Sequence, residues 1–301
     1  MEQKGEGFVK GCFILLKDES GGSIQEVMSD MRKVLNHHKI RLNMVVIDPR
    51  KSGPKEGLRR CPLLTEGDKL RYSDLTVIIP TLNEENTISE LLHLIESLYP
   101  EISIIVSDDG SPDKTQQLVR ECQQKNPRIF LLDRSEKEVH GLTASVLDAI
   151  MMTKTEYFVV MDGDLQHPPE KIKEMAEKLR LGSDLVAGAR EGVIQKWSLP
   201  RILISRFAIL LAKLRLLWSG IIIKDPLSGF FAARTEPTQQ IIRAKGNKFA
   251  PKGYKILFDL LKVIPAEYFL SGIYYQFGTR KRGASKINSK IIYYFLRSLF
   301  K

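Results

Sequence analysis

Two carboxylates and an amide at alternate positions, Asp162, Asp164 and Gln166, stand in the stretch Met161-Asp162-Gly163-Asp164-Leu165-Gln166-His167-Pro168-Pro169. On an extended backbone the three would project to one side, because side chains alternate with period two. Three such oxygen ligands suit a hard divalent cation, Mg²⁺ or Mn²⁺, which keeps room for water and substrate phosphates. Asp-x-Asp alone is a weak signal, since solvated acidic turns have the same form. Its surroundings sharpen it. The apolar run Tyr157–Val160 reads as a buried strand, and Pro168-Pro169 suits a first helical turn. The acids therefore fall where a strand ends, which in open α/β sheets is where ligands bind.

A second acidic turn, Ser107-Asp108-Asp109-Gly110-Ser111-Pro112-Asp113, follows the apolar run 102–106. If both runs are parallel strands of one sheet, both turns share an edge. A nucleotide fits there, with Asp108 and Asp109 accepting hydrogen bonds from a base or ribose and the later acids holding a metal that bridges a diphosphate. No Gly-x-x-x-x-Gly-Lys-Ser/Thr loop is present, which excludes a P-loop NTPase, and no Gly-x-Gly-x-x-Gly follows the first strand, which argues against a dinucleotide cofactor. A nucleoside diphosphate carrying a transferable group is the better fit.

The positioning elements follow from periodicity. Residues 75–80, 102–106, 129–132, 157–160 and 184–187 read as strands, and 86–98, 115–124, 143–152 and 169–181 as helices. That alternation predicts an α/β fold, a mostly parallel sheet with helices on both faces. Beyond it, 197–218 is a long helical pattern with Arg201 and Ser205 four apart on one face. Residues 224–231 read as a loop, 254–263 as a helix, 274–277 as a strand, 278–286 as a basic loop, and 287–301 as an amphipathic helix fit either for a membrane interface or for packing on the domain. In the first 70 residues, 8–16 and 44–47 read as strands, 23–37 as a helix, and 48–69 as a linker rich in Pro, Gly and charge. No motif assigns this extension a role. The expected division is an extension over 1–70, a main domain over 71–286 (a donor half 71–189 and an acceptor, membrane-facing half 190–286), and the terminal helix 287–301.

Charge divides the 301-residue chain the same way. Residues 190–301 hold 21 Lys+Arg against 5 Asp+Glu, a net of +16; the rest holds 25 against 31, a net of −6; together they make the +10 of the chain. A basic half calls for an anionic partner: nucleic acid, anionic lipid or a phosphorylated substrate. Nucleic acid is the poorest of these, for there is no recognition motif and no aromatic stacking platform. Cys12, Cys61 and Cys122 have no metal or redox spacing and fit reduced thiols of a cytosolic protein. No signal peptide is visible, and no uninterrupted apolar run reaches the roughly 20 residues of a membrane span; Arg201, Arg206, Lys213 and Arg215 break the richest one.

The motifs between Leu75 and Asn288 resemble, in order, those of the inverting GT-A glycosyltransferases of family 2. They are Val-Ile-Ile-Pro-Thr-Leu-Asn-Glu (77–84), Asp-Asp-Gly-Ser-Pro-Asp (108–113), Met-Asp-Gly-Asp-Leu-Gln-His-Pro-Pro (161–169), Ala-Gly-Ala-Arg (187–190), Arg201-x-x-x-Ser205-Arg206, Leu-Ser-Gly-Phe-Phe (227–231) and Arg280-x-x-Gly283-x-Ser285-Lys286. Within that family the dolichyl-phosphate mannosyltransferases are the most similar group. The resemblance implies Pro80, Glu84, Asp108, Asp109 and Asp162 around the donor nucleotide-sugar, with Arg280 and Lys286 closing a basic loop over its phosphates. It implies Asp162, Asp164 and Gln166 on the metal, and Asp164, Arg190, Arg201 and Ser205 at the reaction centre, the last three on the acceptor phosphate.

By this resemblance the donor would be GDP-mannose and the acceptor dolichyl (polyprenyl) phosphate at the cytoplasmic face of a membrane. The chain would be either peripheral or held by a membrane-anchoring subunit, since many relatives continue into transmembrane helices. A UDP-sugar enzyme making a glucosyl or N-acetylglucosaminyl lipid would keep nearly every motif; a non-catalytic binding subunit on the same fold is the remaining alternative. The chain departs from the family at Leu82, where Tyr is frequent, at Gly163, where Ala is, and at Ser228, where Thr is. A phosphate monoester acceptor has its second pKa near ~6 and is already a nucleophile at neutral pH. No general base is then needed, and His140 and His167 are expected to be turn or cap residues.

Overall fold

The structure is a computed structural model. It describes residues 14–15, 45–46, 72–193, 199–278 and 289–299, with no side-chain detail for 14–15, 45–46, 192–204 and 289–293. The chain forms two compact units, Met1–Arg60 and Cys61–Lys301. In the first, β1 (Ile14–Leu15) and β2 (Val45–Val46) pair in parallel. The helix expected over 23–37 lies outside the described residues.

The second unit is built on a seven-stranded sheet, ordered β5-β4-β3-β6-β8-β7-β9. Its strands are β3 (Leu75–Thr81), β4 (Ser103–Asp108), β5 (Ile129–Asp133), β6 (Tyr157–Val160), β7 (Leu185–Val193), β8 (Phe231–Arg234) and β9 (Leu270–Phe277). All seven residues of β3 are buried, as a central parallel strand covered on both faces requires. Alternation sorts its side chains: Leu75, Val77 and Ile79 enter one core and Ile78 the other. The first core is closed by α1 (Ile88–Leu98), α2 (Thr115–Lys125) and α4 (Lys171–Arg180), through residues such as Leu91, Val119 and Met175. The second is closed by α3 (Leu142–Met152), α5 (Leu199–Leu217), α6 (Thr235–Lys245), α7 (Ile256–Leu261) and the end of α8 (Ser289–Leu299), through Val146, Ala212, Ile241, Leu257 and Leu299. Each fully buried aliphatic side chain contributes about 1.5–3 kcal/mol, so the two layers hold the sheet edge firmly.

β3, β4, β5 and β6 run parallel, which brings the acidic turns after β4 and β6 to one edge as expected. Two elements differ from the sequence reading. Residues 231–234 form β8, antiparallel to both β6 and β7, where periodicity shows only a loop ending at 231. Phe-Ala-Ala-Arg has two alanines and a charged end and lacks the β-branched residues that help mark the run 157–160 as a strand. The helix α6 directly after it was likewise not expected. The terminal helix α8 packs on the domain through its last turn. Ser298 and Leu299 are buried there, and Lys262 Nζ pairs with Asp259 Oδ1 at 2.8 Å while donating to the Ser298 carbonyl at 2.7 Å. Ser298 Oγ also donates to Asp259, and Arg215 Nε donates to the Leu299 carbonyl at 3.1 Å.

Candidate active site

The turn after β6 is not extended. Leu165 takes a left-handed conformation, φ 60°, so simple alternation does not order the side chains of Asp162, Asp164 and Gln166. The chain folds back instead. Gln166 N–H donates to Asp164 Oδ1 at 3.2 Å, and Gln166 ties itself to the end of β9, its carbonyl accepting from Gly278 N–H at 2.9 Å and its Nε2 donating to the Gly278 carbonyl at 3.0 Å. That bond commits the amide nitrogen and leaves Oε1 as the acceptor end. Asp164 and Gln166 are buried, whereas the Asp162 side chain is 34% exposed.

His167 is enclosed beneath this turn. It stacks on Phe230 with ring centroids 5.1 Å apart and meets Tyr275 and Phe277 edge-on. Its Nδ1 accepts from Asp162 N–H at 3.0 Å. Burial pushes its pKa down to about 4, against the raising field of Asp164. A neutral ring engaged at Nδ1 braces the Asp162 backbone from within the core. No backbone hydrogen-bond pattern visible in the sequence reveals this role.

Gly229 supplies the other wall. The antiparallel register pairs Val160 with Phe231, so two residues further on Gly229 faces Asp162. A Cβ at Gly229 would lie 3.1 Å from both Asp162 carboxylate oxygens. The carboxylate thus sits in a cradle that any side chain would fill. Two carboxylates and an amide oxygen on one turn are hard donors, the kind that Mg²⁺ or Mn²⁺ takes. Among the described residues no group of three or more His, Cys, Asp or Glu is placed to hold a metal ion.

The first acidic turn is arranged otherwise than expected. Asp108 is fully buried and filled from within the chain. Its Oδ1 accepts from Ser111 N–H and Gln116 Nε2, both at 2.8 Å, and from Gly110 N–H at 3.2 Å; its Oδ2 accepts from Thr81 Oγ1 at 2.9 Å and Ser111 Oγ at 2.5 Å. Asp108 therefore shapes the turn, and its oxygens are not the open acceptors that a base or ribose would need. Asp109 is ion-paired with buried Arg134 and accepts from Gly141 N–H at 2.7 Å, with His140 Nδ1 at 3.2 Å. A short side chain on a turn can point inward or outward, and here the inward donors win. Pro80 is buried at the end of β3, in register with Ser107. Glu84 is half-buried, its N–H donating to Thr115 Oγ1 at 2.9 Å, and its Cγ is 3.6 Å from where a Cβ at Gly163 would stand.

On the basic side, Arg190 leaves β7 and its Nε donates to Asp225 Oδ2 at 2.7 Å, with the guanidinium 5.6 Å from the Phe277 ring centroid. Burial works against its charge, but the Asp225 carboxylate outweighs that and the pKa is raised. Lys255 donates to the Leu227 carbonyl at 2.9 Å; burial, then the field of Arg190, lowers its pKa. Lys255 and the pairing role of Asp225 escape sequence reasoning, because nothing local distinguishes them from surface charges. Ser205 is half-buried on α5. Arg280 and Lys286, and the side chain of Arg201, lie outside the described residues. A cleft of about 240 Å³ runs along β7 and β9, lined by Ile222 to Asp225, and so shares Asp225 with this site.

An open α/β sheet with an acidic turn at its carboxyl edge and cations beyond it is the frame of an enzyme that handles anionic substrates. The chain belongs to glycosyl transferase family 2, whose pattern matches residues 76–242, more than half of the sequence. It is 36% identical over 233 residues to a dolichol-phosphate mannosyltransferase of Pyrococcus furiosus, a match that spans 75% of this chain and 63% of that protein. It is 30% identical to the polyprenol monophosphomannose synthase of Mycolicibacterium smegmatis, over 72% of this chain and 82% of that one. Among solved structures, the fold is shared with glucosyl-3-phosphoglycerate synthase from Mycobacterium tuberculosis in complex with Mn²⁺, UDP and glucosyl-3-phosphoglycerate. That match has a TM-score of 0.53 and 22% identity, over 75% of this chain and 80% of that one.

Proposed function

We propose that the protein transfers mannose from GDP-mannose to a polyprenyl phosphate, with inversion at the sugar carbon. The observation that carries this reading is the meeting of the Asp162–Gln166 turn and the Arg190–Asp225 pair on either side of residues 225–230, in a chain whose similar proteins are named for mannosyl transfer to polyprenyl phosphates. An oxygen of the acceptor phosphate attacks the anomeric carbon; the bond from that carbon to the diphosphate breaks, and its electrons leave with GDP. The acceptor is largely dianionic at neutral pH and needs no base, which agrees with a neutral, enclosed His167. What the residues supply is alignment and charge compensation. Asp162, Asp164 and the Gln166 amide oxygen would hold Mg²⁺ or Mn²⁺, which, when bound, offsets the charge of the departing diphosphate. Arg190, with Arg201 and Ser205 from α5, would hold the acceptor phosphate, since a guanidinium can grip two phosphate oxygens at once. Pro80, Glu84 and the wall braced by Asp108 and Asp109 would flank the nucleotide, and Arg280 and Lys286 would add positive charge over the donor phosphates.

The test is transfer from radiolabelled sugar nucleotides to polyprenyl phosphate in the presence of Mg²⁺ or Mn²⁺, followed by extraction of mild-acid-labile glycolipid. GDP-mannose is expected to label the lipid at least about tenfold faster than UDP-glucose or UDP-N-acetylglucosamine, a preference of about 1.4 kcal/mol. Labelling from a UDP-sugar alone reassigns the donor, and labelling that survives Asp164→Asn undiminished removes the active-site assignment.

A lipid acceptor places the enzyme at a membrane surface. No helix among the described residues is long and apolar enough to cross a bilayer. Helix α5 instead presents Phe207, Leu210, Leu214 and Leu217 outward at helical spacing, continued by Trp218, 89% exposed, and Ile222, 81% exposed, while Ala212 and Leu216 face the core. An outward apolar stripe on a basic segment suits the headgroup boundary of an anionic bilayer. In vesicle flotation with anionic lipid, Trp218→Ser with Ile222→Ser is expected to cut the bound fraction at least about fivefold, the scale of losing two interfacial side chains. Unchanged flotation would remove this face from the membrane contact.

A further inference from the structure

β8 lies between β6 and β7, so the residues leading into it, 225–230, pass between the carboxylate turn of β6 and the arginine of β7. At one end of this turn the Gly229 backbone abuts Asp162; at the other Asp225 holds Arg190. The turn is braced from within. Asp225 Oδ1 accepts from Leu227 N–H at 3.2 Å, the Asp225 carbonyl from Ser228 N–H at 3.3 Å, and Ser228 Oγ from Phe230 N–H at 3.1 Å. From outside, Lys255 holds the Leu227 carbonyl, and Gly188 N–H donates to the Phe230 carbonyl at 2.8 Å.

We propose that Asp225 is a positioning residue: it orients the Arg190 guanidinium for the acceptor phosphate and, through the braced turn it opens, sets that arginine's place relative to Asp162. The bond to Asp225 uses Nε, which leaves the end-on edge between the two terminal nitrogens as the edge that would take phosphate. An arginine held at Nε by a charge-assisted bond is fixed in plane, and its fork needs little further ordering to take two phosphate oxygens. This rests on the function proposed above and adds to it a residue that touches neither substrate.

Charge alone predicts the opposite effect. Removing a carboxylate beside Arg190 and Lys255 makes the site more positive, so if Asp225 merely competed with phosphate, Asp225→Asn would tighten acceptor binding. If it positions Arg190, Asp225→Asn weakens it. The experiment uses the full chain with Mn²⁺, GDP-mannose and farnesyl phosphate as a short acceptor, and measures transfer kinetics together with calorimetric binding of farnesyl phosphate and of GDP. The expected result is a rise in acceptor KM and Kd of about tenfold or more in Asp225→Asn, with GDP affinity within about twofold of wild type, and no additional loss when Asp225→Asn is added to Arg190→Ala. Tighter acceptor binding, an equal loss of GDP affinity, or losses that multiply in the double variant would overturn the proposal. A wild type that binds farnesyl phosphate without transferring to it would sink the proposed reaction alone and leave the binding comparison to decide on Asp225. A wild type that neither binds nor transfers would end both.

Discussion

Asp162→Asn is expected to lower transferase turnover about 10²- to 10³-fold at saturating donor and acceptor, the scale of losing one preorganised electrostatic partner of the transition state. The argument starts from what the substitution leaves alone. Asp162 N–H still bonds His167 Nδ1, and a side chain that is one-third exposed supports little of the core, so the fold is retained. As a ligand in the proposed metal site, Asp162 would lose one formal charge, which would weaken the grip on a divalent cation more than an amide oxygen can restore. Turnover titrated against Mn²⁺ should therefore show two changes together, a lower plateau and a midpoint at higher metal concentration. A turnover loss with an unmoved midpoint would mean that Asp162 acts on the sugar or the phosphates directly and is no metal ligand.

Gly229→Ala should reduce turnover about 10- to 100-fold, the scale seen when a residue that orients a metal ligand is changed. The added methyl would stand 3.1 Å from both Asp162 oxygens, so the carboxylate must swing out of its cradle. Gly229 does not have a positive φ, and the strain therefore falls on the carboxylate and not on the backbone. Gly163→Ala is the matched comparison. Its methyl would meet the Thr81 and Ile79 methyls at 3.3 and 3.5 Å and the Glu84 Cγ at 3.6 Å, contacts that small shifts relieve. Turnover within about threefold of wild type is expected there, as for a mild overpacking. Equal losses in the two variants would show that the cradle around Asp162 has no special part in catalysis.

The two turns differ in how far composition foretells geometry. Asp162 and Asp108 both follow buried strands and both lie at the carboxyl edge, and periodicity locates both. Yet one remains partly open while the other is filled by five donors from its own turn and neighbours. Three of those donors, from Gly110 and Ser111, belong to the turn itself, but Thr81 from β3 and Gln116 from α2 reach Asp108 only through the fold, and that part is not written beside it in the chain. The same holds for His167, whose enclosure depends on Phe230 from the turn before β8 and on Tyr275 and Phe277 from β9.

The α/β alternation, the placing of acidic turns at strand ends, the basic half and the family are legible in the chain alone, because each rests on local periodicity, composition or ordered motifs. Only the tertiary structure decided that a four-residue strand would enter antiparallel between β6 and β7, set Gly229 against Asp162 and bring Asp225 to Arg190. Register is the cause: hydrogen bonding between strands fixes which distant residues meet, and the short strand Phe231–Arg234 takes its place from the neighbours it pairs with and not from any pattern of its own.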